Sequence, residues 1–454
     1  MSQFFAGYSR VNITPESGTP LGGYYQARVA GSVLDELEIN AMAVACDDQR
    51  AVVFAVDHLG LVQPVQSDYR KKIAEVTGLP EEAIYIHCLH IHNGPIVNLD
   101  GTDPRIEKYR LFLGEKLIEC ALAALADLKP AKLGFGVSHA PRISFIRRYM
   151  MKDGSVQTNP GIDNPNTDHV LGTVDDRVSV LRLDRENADS IVLAHFACHP
   201  DTVGGNDISA DWPAQARRRV EKALDGVHCL VLNGAQGDVN HVNTSPAPGE
   251  GNGLAIGFDG VPRGYTHTVH MGNAVAGAVL QVYEKVEYVD VPSIRFDIVP
   301  FDVPSNMPSD EELPLARHID ELHSSGRDSE LPYKDMMLTT KVAEAARILR
   351  LEHGPAFFTM PLTVLAIGPI AFIGIPGEPF TRVGLELKQA PGWKLVMPTC
   401  NTNAKEGYFP TRSAYDEGGY EAKASPFAPG VAEIIIEKGL LALNMLNDIP
   451  IIGA

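Results

Sequence analysis

Short apolar runs that end abruptly in glycine, proline or histidine recur along this chain, and amphipathic stretches of helical spacing separate them. Such runs are typical of buried strands, and the amphipathic stretches are typical of helices that cover a sheet. The clearest strand predictions are Ala51–Val56, Ala83–Ile86, Ile191–Phe196 and Cys229–Leu232, and the clearest helix predictions are 66–77, 106–128, 211–224 and 271–286. This alternation predicts an α/β fold in which mixed sheets are flanked by helices.

The sequence of the second half of the chain predicts a helical insert and no second domain. Residues 304–352 are polar, charged and of helical spacing. Residues 362–375 return to nearly continuous apolar sequence, which suits strands buried on both faces. We interpret 304–352 as a helical insert within a single domain that spans residues 1–454, because the segment is short and core-like sequence follows it.

Net charge and the lack of long apolar runs exclude several classes of function. The 39 basic and 57 acidic residues give a formal charge of −18, which argues against a nucleic-acid partner and against docking on anionic lipid. No run approaches the roughly 18 apolar residues of a membrane span, so no stable membrane insertion is expected. With no visible signal peptide and six scattered cysteines, the sequence predicts a cytoplasmic protein with reduced, buried thiols. A small-molecule substrate is the expected partner, and the oligomeric state is left open.

Three histidines lie within six residues in the segment IHCLHIHNGP, residues 86–95. The strand predicted before them ends at the Asn-Gly-Pro turn. Side chains alternate between faces in an extended strand, so His90 and His92 are expected to point the same way at the strand's exit. Two neutral imidazoles on one face begin a zinc site and fill a hydrophobic core poorly, so a metal or catalytic role is favoured over a hydrogen-bonded structural role.

Other side chains that bind metals or move protons also follow apolar runs, at positions where open α/β sheets hold ligands. His199 closes one such run and is favoured as a ligand, whereas His195 within that run is expected to be a buried, hydrogen-bonded histidine. Glu378 follows an apolar strand directly, and an acid at the start of a helix is the equally good alternative. Tyr408 and Tyr420 lie in a polar, glycine-rich segment, where packing at the surface is the alternative.

Seven short motifs occur here in an order that resembles the catalytic domain of the neutral/alkaline, non-lysosomal ceramidases. Each motif is weak alone, but the ordered set is specific and runs from about residue 5 to 440. The motifs are GYSRVNITP at 7–15 with PLGGY at 20–24, HIHNGP at 90–95, ACHP at 197–200, SADWP at 209–213, NGAQGD at 233–238, PGE at 376–378 and GY at 407–408. The resemblance implies one ceramidase-like catalytic domain. The sequence departs from the full-length ceramidases in that their C-terminal β-domain is not expected here.

The resemblance also implies a zinc amidase. His90, His199, Glu378 and Tyr408 would bind one zinc ion per chain. His92 would act as the acid–base or transition-state histidine.

Further residues would contact the substrate if the resemblance holds. Tyr420, twelve residues after Tyr408, would help to hold the developing oxyanion. One of Arg147 and Arg148 would line the substrate pocket, and the resemblance leaves open which one. Gly23 would bring backbone close to the substrate. Asn240 stands where the family has a serine, so an amide would replace that hydroxyl if the position contacts substrate.

The chemistry of this set is coherent. Two imidazoles, a carboxylate and a weakly bound phenol would leave zinc open to water, as catalysis requires. Zinc lowers the pKa of bound water to about 7, and a histidine with an ordinary pKa near 6.5 could protonate a leaving amine. Amide hydrolysis fits best, because an amine needs that proton more than an alkoxide does. The leading prediction is therefore a zinc-dependent amidohydrolase that cleaves an N-acyl amine.

Two alternatives remain open. The same metal centre could act as an esterase or lactonase on a small polar or carbohydrate-derived substrate. A set of polar residues favours that alternative, namely Asn93, Asp100, Asp168, His169 and Asn240. The other alternative is a non-catalytic, zinc-stabilised binding protein, which is disfavoured because structural zinc sites usually close their coordination with cysteines.

Overall fold

Two large β-sheets with helices packed against them form the framework of the protein. The computed structural model describes residues 3–97 and 103–448. The strands are β1 (Phe4–Asn12), β2 (Pro20–Leu21), β3 (Arg28–Val29), β4 (Glu38–Cys46), β5 (Gln49–Val56), β6 (Ile84–Cys88), β7 (Lys129–His139), β8 (Phe145–Ile146), β9 (Arg148–Met151), β10 (Val156–Thr158), β11 (Thr167–Val170), β12 (Arg177–Arg185), β13 (Ser190–Phe196), β14 (Val227–Asn233), β15 (Val239–Asn240), β16 (Ala255–Ile256), β17 (Pro262–Arg263), β18 (Glu287–Val289), β19 (Ile294–Pro304), β20 (Phe357–Ile367), β21 (Ile370–Gly374), β22 (Glu378–Pro379), β23 (Leu395–Thr399) and β24 (Tyr408–Phe409). The helices are α1 (Gln63–Thr77), α2 (Pro104–Ala126), α3 (Asp211–Ala223), α4 (Tyr265–Tyr283), α5 (Leu313–Ser324), α6 (Asp335–Leu351), α7 (Thr381–Leu387), α8 (Arg412–Glu417), α9 (Tyr420–Ala424) and α10 (Val431–Asp448). This architecture confirms the predicted mixed α/β class.

The larger sheet has nine strands. Eight of them follow the order β14-β13-β12-β7-β1-β4-β5-β6, and β18 pairs with β7 beside them. β5 runs parallel to β6, and β13 runs parallel to β14, whereas the pairs between them are antiparallel. The parallel pairs therefore lie at the two ends of the strand order. The loops that follow their carboxyl ends carry the histidine motifs, as is usual for ligand sites on such sheets.

The two outer strands of this sheet, β6 and β14, come together, so the sheet is strongly curled. The backbone amide of Asn233, at the end of β14, donates a hydrogen bond to Nε2 of His87 in β6 over 2.9 Å. Nδ1 of His87 lies 2.7 Å from the carbonyl oxygen of Cys400, directly after β23 of the smaller sheet. The first histidine of the 86–95 segment therefore has a structural role, because its ring joins both edges of the larger sheet to the smaller one.

The smaller sheet has four strands in the order β19-β20-β21-β23, with β21 and β23 parallel. Residues 362–375, expected from the sequence to form buried strands, supply most of β20 and all of β21. Helix α10 packs against this sheet. The amide of Cys88, at the end of β6, donates to the carbonyl oxygen of Asn401 over 3.1 Å. Strand ends from both sheets therefore meet at one place.

The predicted helices are present with small shifts at their ends. Helices α1, α2 and α3 begin and end within three residues of the predicted bounds, whereas α4 begins at Tyr265, six residues before its predicted start. The early turns of α4 contain threonine and histidine in place of a regular apolar face, so periodicity alone does not reveal them.

Two helices, α5 and α6, occupy most of residues 304–352. Their apolar side chains form a small core of their own, which includes Ile319, Leu322 and Ile348. Nε2 of His323 in α5 lies 2.7 Å from the carbonyl oxygen of Tyr25, so the helical pair contacts the turn after β2. The interpretation of residues 1–454 as a single domain stays a prediction.

The six cysteines are buried and free, as predicted. Within residues 3–97 and 103–448, no helix combines the length and apolar character that crossing a membrane requires. The predicted cytoplasmic location stays a prediction.

A buried ion pair fixes α3 against the end of β5. The Asp57 carboxylate accepts hydrogen bonds from both terminal nitrogens of Arg217, one of them at 3.0 Å, and both side chains are buried. Asp57→Ala is expected to lower the free energy of unfolding by about 3–5 kcal/mol, because Arg217 would keep its buried charge without its main partner. Urea unfolding measures this change. Asp68→Ala, which removes an exposed pair with Lys72, is the matched control, with an expected loss below about 1 kcal/mol. Equal losses in the two variants would contradict the structural importance of the buried pair.

Candidate metal centre

Two imidazoles and a carboxylate meet at one point in the protein interior. Nε2 of His90 lies 3.1 Å from Nε2 of His199 and 3.1 Å from Oε2 of Glu378. Nε2 of His199 lies 3.6 Å from the same carboxylate oxygen. His92 lies beside them, because one of its ring nitrogens lies within 4.8 Å of a ring nitrogen of each of the other two histidines. All four side chains are buried, and the three histidines form a group that could hold a metal ion.

The hydrogen-bond partners of two rings leave their Nε2 atoms as bare acceptors. Nδ1 of His90 lies 2.8 Å from the carbonyl oxygen of Leu59, and Nδ1 of His199 lies 3.1 Å from that of Gln236. A carbonyl oxygen only accepts, so Nδ1 of His199 carries a proton and its Nε2 lone pair faces Glu378. Nδ1 of His90 also lies 3.0 Å from the side-chain amide nitrogen of Asn401, and in the tautomer in which it donates to Leu59 its Nε2 lone pair faces Glu378 as well. Two lone pairs and a carboxylate that face one another repel unless a cation lies among them. This donor set therefore fits a divalent metal ion, and the two carbonyls are the outer partners that metal-bound histidines usually have.

Glycines allow the backbone around Glu378 to approach its neighbours. Glu378 and Tyr408 pair with each other in the short parallel strands β22 and β24. A Cβ on Gly237 would lie 2.5 Å from the carbonyl oxygen of Glu378, and one on Gly377 would lie 2.4 Å from that of the residue before Tyr408. These distances explain the glycines of the NGAQGD and PGE motifs, since any side chain would push the segments apart. Glu378 is not the first acid of a helix, because α7 begins only at Thr381.

His90 and His92 reach the centre by a route that strand alternation does not describe. Strand β6 ends at Cys88, and His90 has a φ of +72°, in the left-handed region. The alternation argument therefore fails, although the expectation that both rings face one region is correct. A residue in this backbone conformation costs about 1–3 kcal/mol, and such residues cluster at functional sites.

His92 differs from its two neighbours in its hydrogen bonding. It is buried, yet neither ring nitrogen has a partner among the residues that the structure describes. Its ring lies against that of Tyr24, with centroids 5.1 Å apart. Gly23 has a φ of +103°, and a Cβ there would lie 2.9 Å from Cα of His92. Arg28 donates to the carbonyl oxygen of His92 over 2.6 Å. The backbone of His92 is thus held firmly, and both of its ring nitrogens remain available.

Arg147 connects Tyr408 to a buried acid. Its Nη2 donates to Oη of Tyr408 over 3.1 Å, and its Nε donates to Oε1 of Glu421 over 2.7 Å. The Tyr408 ring stacks on that of His199 with centroids 6.5 Å apart, and the Tyr420 ring lies 5.5 Å from that of Tyr408. Of the two arginines that the sequence left open, Arg147 is the one that lines the cavity beside the histidines.

Two other predicted residues lie away from this cavity. Arg148 donates to Glu417 over 3.0 Å and to the carbonyl oxygen of Gly418 over 2.9 Å. Asn240 is buried in β15, where its amide donates to Asn159 over 3.1 Å. Asn159 lines the cavity, so Asn240 reaches it only through this contact.

The polar residues that favour a hydroxylated substrate are dispersed. Asn93 is buried and donates to the carbonyl oxygen of Asp207 over 2.7 Å. Asp168 and His169 are exposed and lie 2.9 Å from each other. Asp100 lies outside the described residues.

A narrow cavity of about 40 Å³ adjoins His92 and His199. This volume holds about three water molecules. Its walls include several residues that the sequence analysis missed, chiefly Tyr24, Tyr25, Asn159, Asp201, Phe258, Arg263 and Met336. Arg263 pairs with Asp201 at 3.0 Å and with Asp259 at 2.6 Å. Asp201 follows the ACHP motif directly and could have been found, whereas Arg263 and Met336 belong to segments without a motif.

Burial sets the protonation of these groups. It lowers the pKa of His92 and of His199 well below the ordinary value, and neighbouring positive groups add to the effect. Burial also raises the pKa of Tyr408, and the Glu378 carboxylate adds to that rise. Burial alone would raise the pKa of Glu378, but His90 and His199 outweigh it and hold that pKa well below its ordinary value. A neutral His199 beside an ionised Glu378 is the combination of protonation states that metal binding requires.

The protein has a neutral ceramidase-like fold, in which the curled nine-stranded sheet and the four-stranded sheet meet at the buried histidines and Glu378. The crystal structure of neutral ceramidase from Pseudomonas aeruginosa has a TM-score of 0.72 to this chain, with 17% sequence identity over 99% of this chain and 75% of that one. A structure of ceramidase complexed with C2 has a TM-score of 0.71, with 16% identity over 98% of this chain and 76% of that one. No protein-family model and no curated protein matches the sequence. The resemblance inferred from the motifs is thus confirmed in the fold.

Proposed function

We propose that this protein is a zinc-dependent hydrolase that cleaves the amide bond of an N-acyl amine. The observation that carries the proposal is the convergence of His90, His199 and Glu378 on one point beside a cavity. The two solved structures of similar fold are named as ceramidases, and ceramide is an N-acyl amine. For this chain, the proposal is that an amide bond in a small-molecule substrate is cleaved.

One zinc ion per chain would be held by Nε2 of His90, Nε2 of His199, the Glu378 carboxylate and Oη of Tyr408. Zinc accepts nitrogen and oxygen donors of this kind, and catalytic zinc sites keep a position for water. Zinc bound there would lower the pKa of a coordinated water to about 7 and so supply a nucleophile at neutral pH. The carbonyls of Leu59 and Gln236 fix the orientation of the two rings.

The other residues of the site would bind the substrate and move its protons. His92 has two unpartnered ring nitrogens beside the cavity, and burial lowers its pKa well below the ordinary value. As a neutral imidazole it would take up a proton from the attacking water and pass it to the leaving nitrogen. The Tyr420 hydroxyl would donate to the substrate carbonyl oxygen as negative charge develops, an effect worth roughly 3–4 kcal/mol in other hydrolases. Arg147 positions Tyr408 through the 3.1 Å hydrogen bond. Gly23 lines the cavity and would bring its backbone close to the substrate.

Chelation followed by metal return tests this proposal. The purified protein is expected to contain about one zinc per chain, measured by elemental analysis. A chelator is expected to abolish hydrolysis of N-acyl amines, and added zinc is expected to restore it. The far-UV circular dichroism spectrum should stay unchanged, because contacts such as the His87 bridge hold the sheets together without a cation. Full activity after complete removal of metal would refute the proposal.

Hydrolysis of an ester or lactone of a small polar compound is the second candidate. The cavity walls favour it, because the buried charges of Asp201 and Arg263 suit hydroxyl groups better than an acyl chain. Asn240 would contribute indirectly by holding Asn159. A parallel screen of N-acyl amides, esters and lactones decides between the candidates by the highest kcat/KM. A non-catalytic zinc-binding protein would contain the metal and hydrolyse none of them.

A further inference from the structure

A groove lies beside the cavity, between α6, α9 and β10. Its volume is about 320 Å³, and Asn159, Met336 and Tyr420 line both spaces. We call it the lysine groove, because Lys334, Lys341 and Lys423 line it. A group of the substrate that extends past Tyr420 would enter this groove.

The groove concentrates positive charge in a chain whose formal charge is −18. Against its three lysines, the lining contains one carboxylate, that of Asp335. Lys341 and Lys423 both approach Glu344, at 2.9 Å and 3.0 Å, so a single carboxylate serves two ammonium groups. These five groups leave a net positive charge. The first turn of α6, a 17-residue helix, also borders the groove. The backbone amides of Asp335 and Met336 have no partner among the described residues and add to the attraction for an anion.

The size of the cavity limits the length of the acyl group that can lie beside the histidines. The space of about 40 Å³ beside the histidines suits a short acyl group such as acetyl, whereas a long acyl chain would have to extend out of it. The walls also contain the buried Asp201–Arg263 pair, whereas pockets for long chains are lined mainly by apolar side chains. A two-chain lipid therefore fits this site poorly.

We propose that the substrate is a small N-acyl amine with a short acyl group and a carboxylate or phosphate, and that the lysine groove binds this anionic group. This inference rests on the proposed hydrolase function. The groove positions the substrate by charge, and the amide bond then lies beside His92 and the metal ligands.

Matched substrates test the inference in the zinc-loaded protein. N-acetylglycine and N-acetyl-β-alanine are compared with N-acetylglycinamide and N-acetyl-β-alaninamide, in which a neutral amide replaces the only carboxylate. The acids are expected to have a kcat/KM at least about 10-fold higher, since a charge-assisted hydrogen bond contributes that much. Matched phosphate-bearing and neutral N-acetyl amines form a second pair, which separates a carboxylate site from a phosphate site.

A triple glutamine variant tests the lysines themselves. Replacing Lys334, Lys341 and Lys423 by glutamine is expected to raise KM for the acids at least about 10-fold and to change kcat/KM for the amides less than about 3-fold. Lys334→Gln alone, at an exposed position, is the variant least able to disturb folding. The control changes the charge equally at surface lysines outside the groove, Lys72, Lys108 and Lys116, each of which pairs with an acid near it.

Binding of inorganic sulfate provides a readout that does not require turnover. Calorimetry at constant ionic strength is expected to detect sulfate binding to the wild-type protein and to the control triple variant, and none to the groove variant. Sulfate binding that depends on the groove lysines, in a protein that hydrolyses no amide or ester, would refute the proposed function and support the groove. Equal kcat/KM for acids and amides, together with unchanged sulfate binding in the groove variant, would overturn the groove assignment and leave the hydrolase intact.

Discussion

His199→Ala is expected to abolish zinc binding and to lower kcat/KM at least about 1,000-fold. The Nε2 lone pair of His199 is one of three donors that face each other within 3.6 Å, and its ring is fixed by the Gln236 carbonyl. Alanine offers no donor, and the buried site gives solvent little access to replace it. Loss of a metal that stabilises the transition state by several kcal/mol corresponds to this fall in rate. Elemental analysis of the purified variant and its kcat/KM on an N-acyl amine measure both effects.

His195→Gln is the matched control for this prediction. His195 lies in β13 four residues before His199 and is equally buried, but its Nε2 is bonded to the carbonyl oxygen of Pro398 at 2.7 Å. The sequence analysis expected such a structural role for it. The control is expected to keep about one zinc per chain. A His199→Ala protein that holds zinc as tightly as the control would show that the metal binds elsewhere.

The fold could be predicted from the sequence because many of its strands are apolar runs followed by recognisable turn residues. Buried strands of this class read as apolar runs, and the turn residues that follow them are short-range signals. The same signals located His90, His199 and Glu378, since each follows an apolar run. Joining these segments into one site required the ordered motifs, because the separation along the chain between His90 and Glu378 is far beyond what local spacing can describe.

Other features depend on contacts that local patterns do not encode. The ring of His87 has the same sequence neighbourhood as those of His90 and His92, yet it bridges the sheets, because strand curling places Asn233 and Cys400 beside it. The choice between Arg147 and Arg148 depends on which side of β8 and β9 faces Tyr408. The approach of α6 to the site depends on the small core of the insert.

His92→Gln is expected to keep the zinc and to lower kcat on an N-acyl amide about 100- to 10,000-fold, the usual contribution of a general acid or base. Neither ring nitrogen of His92 is hydrogen-bonded within the described residues, so glutamine breaks no hydrogen bond of the side chain. Zinc content separates the two roles that the geometry allows. The three histidines could hold a metal together, and in that case the variant would lose zinc as His199→Ala does.

Dependence on the leaving group tests the proton transfer itself. An amine leaves only after it gains a proton, whereas p-nitrophenolate leaves readily as an anion. If His92 supplies the proton, His92→Gln should slow hydrolysis of an N-acetyl amine far more than hydrolysis of p-nitrophenyl acetate by the same zinc-loaded protein. Equal slowing of the two reactions would assign His92 to a step before the leaving group departs. The proposal that His92 is the general acid would then be wrong, and a role in binding or in activating the nucleophile would take its place.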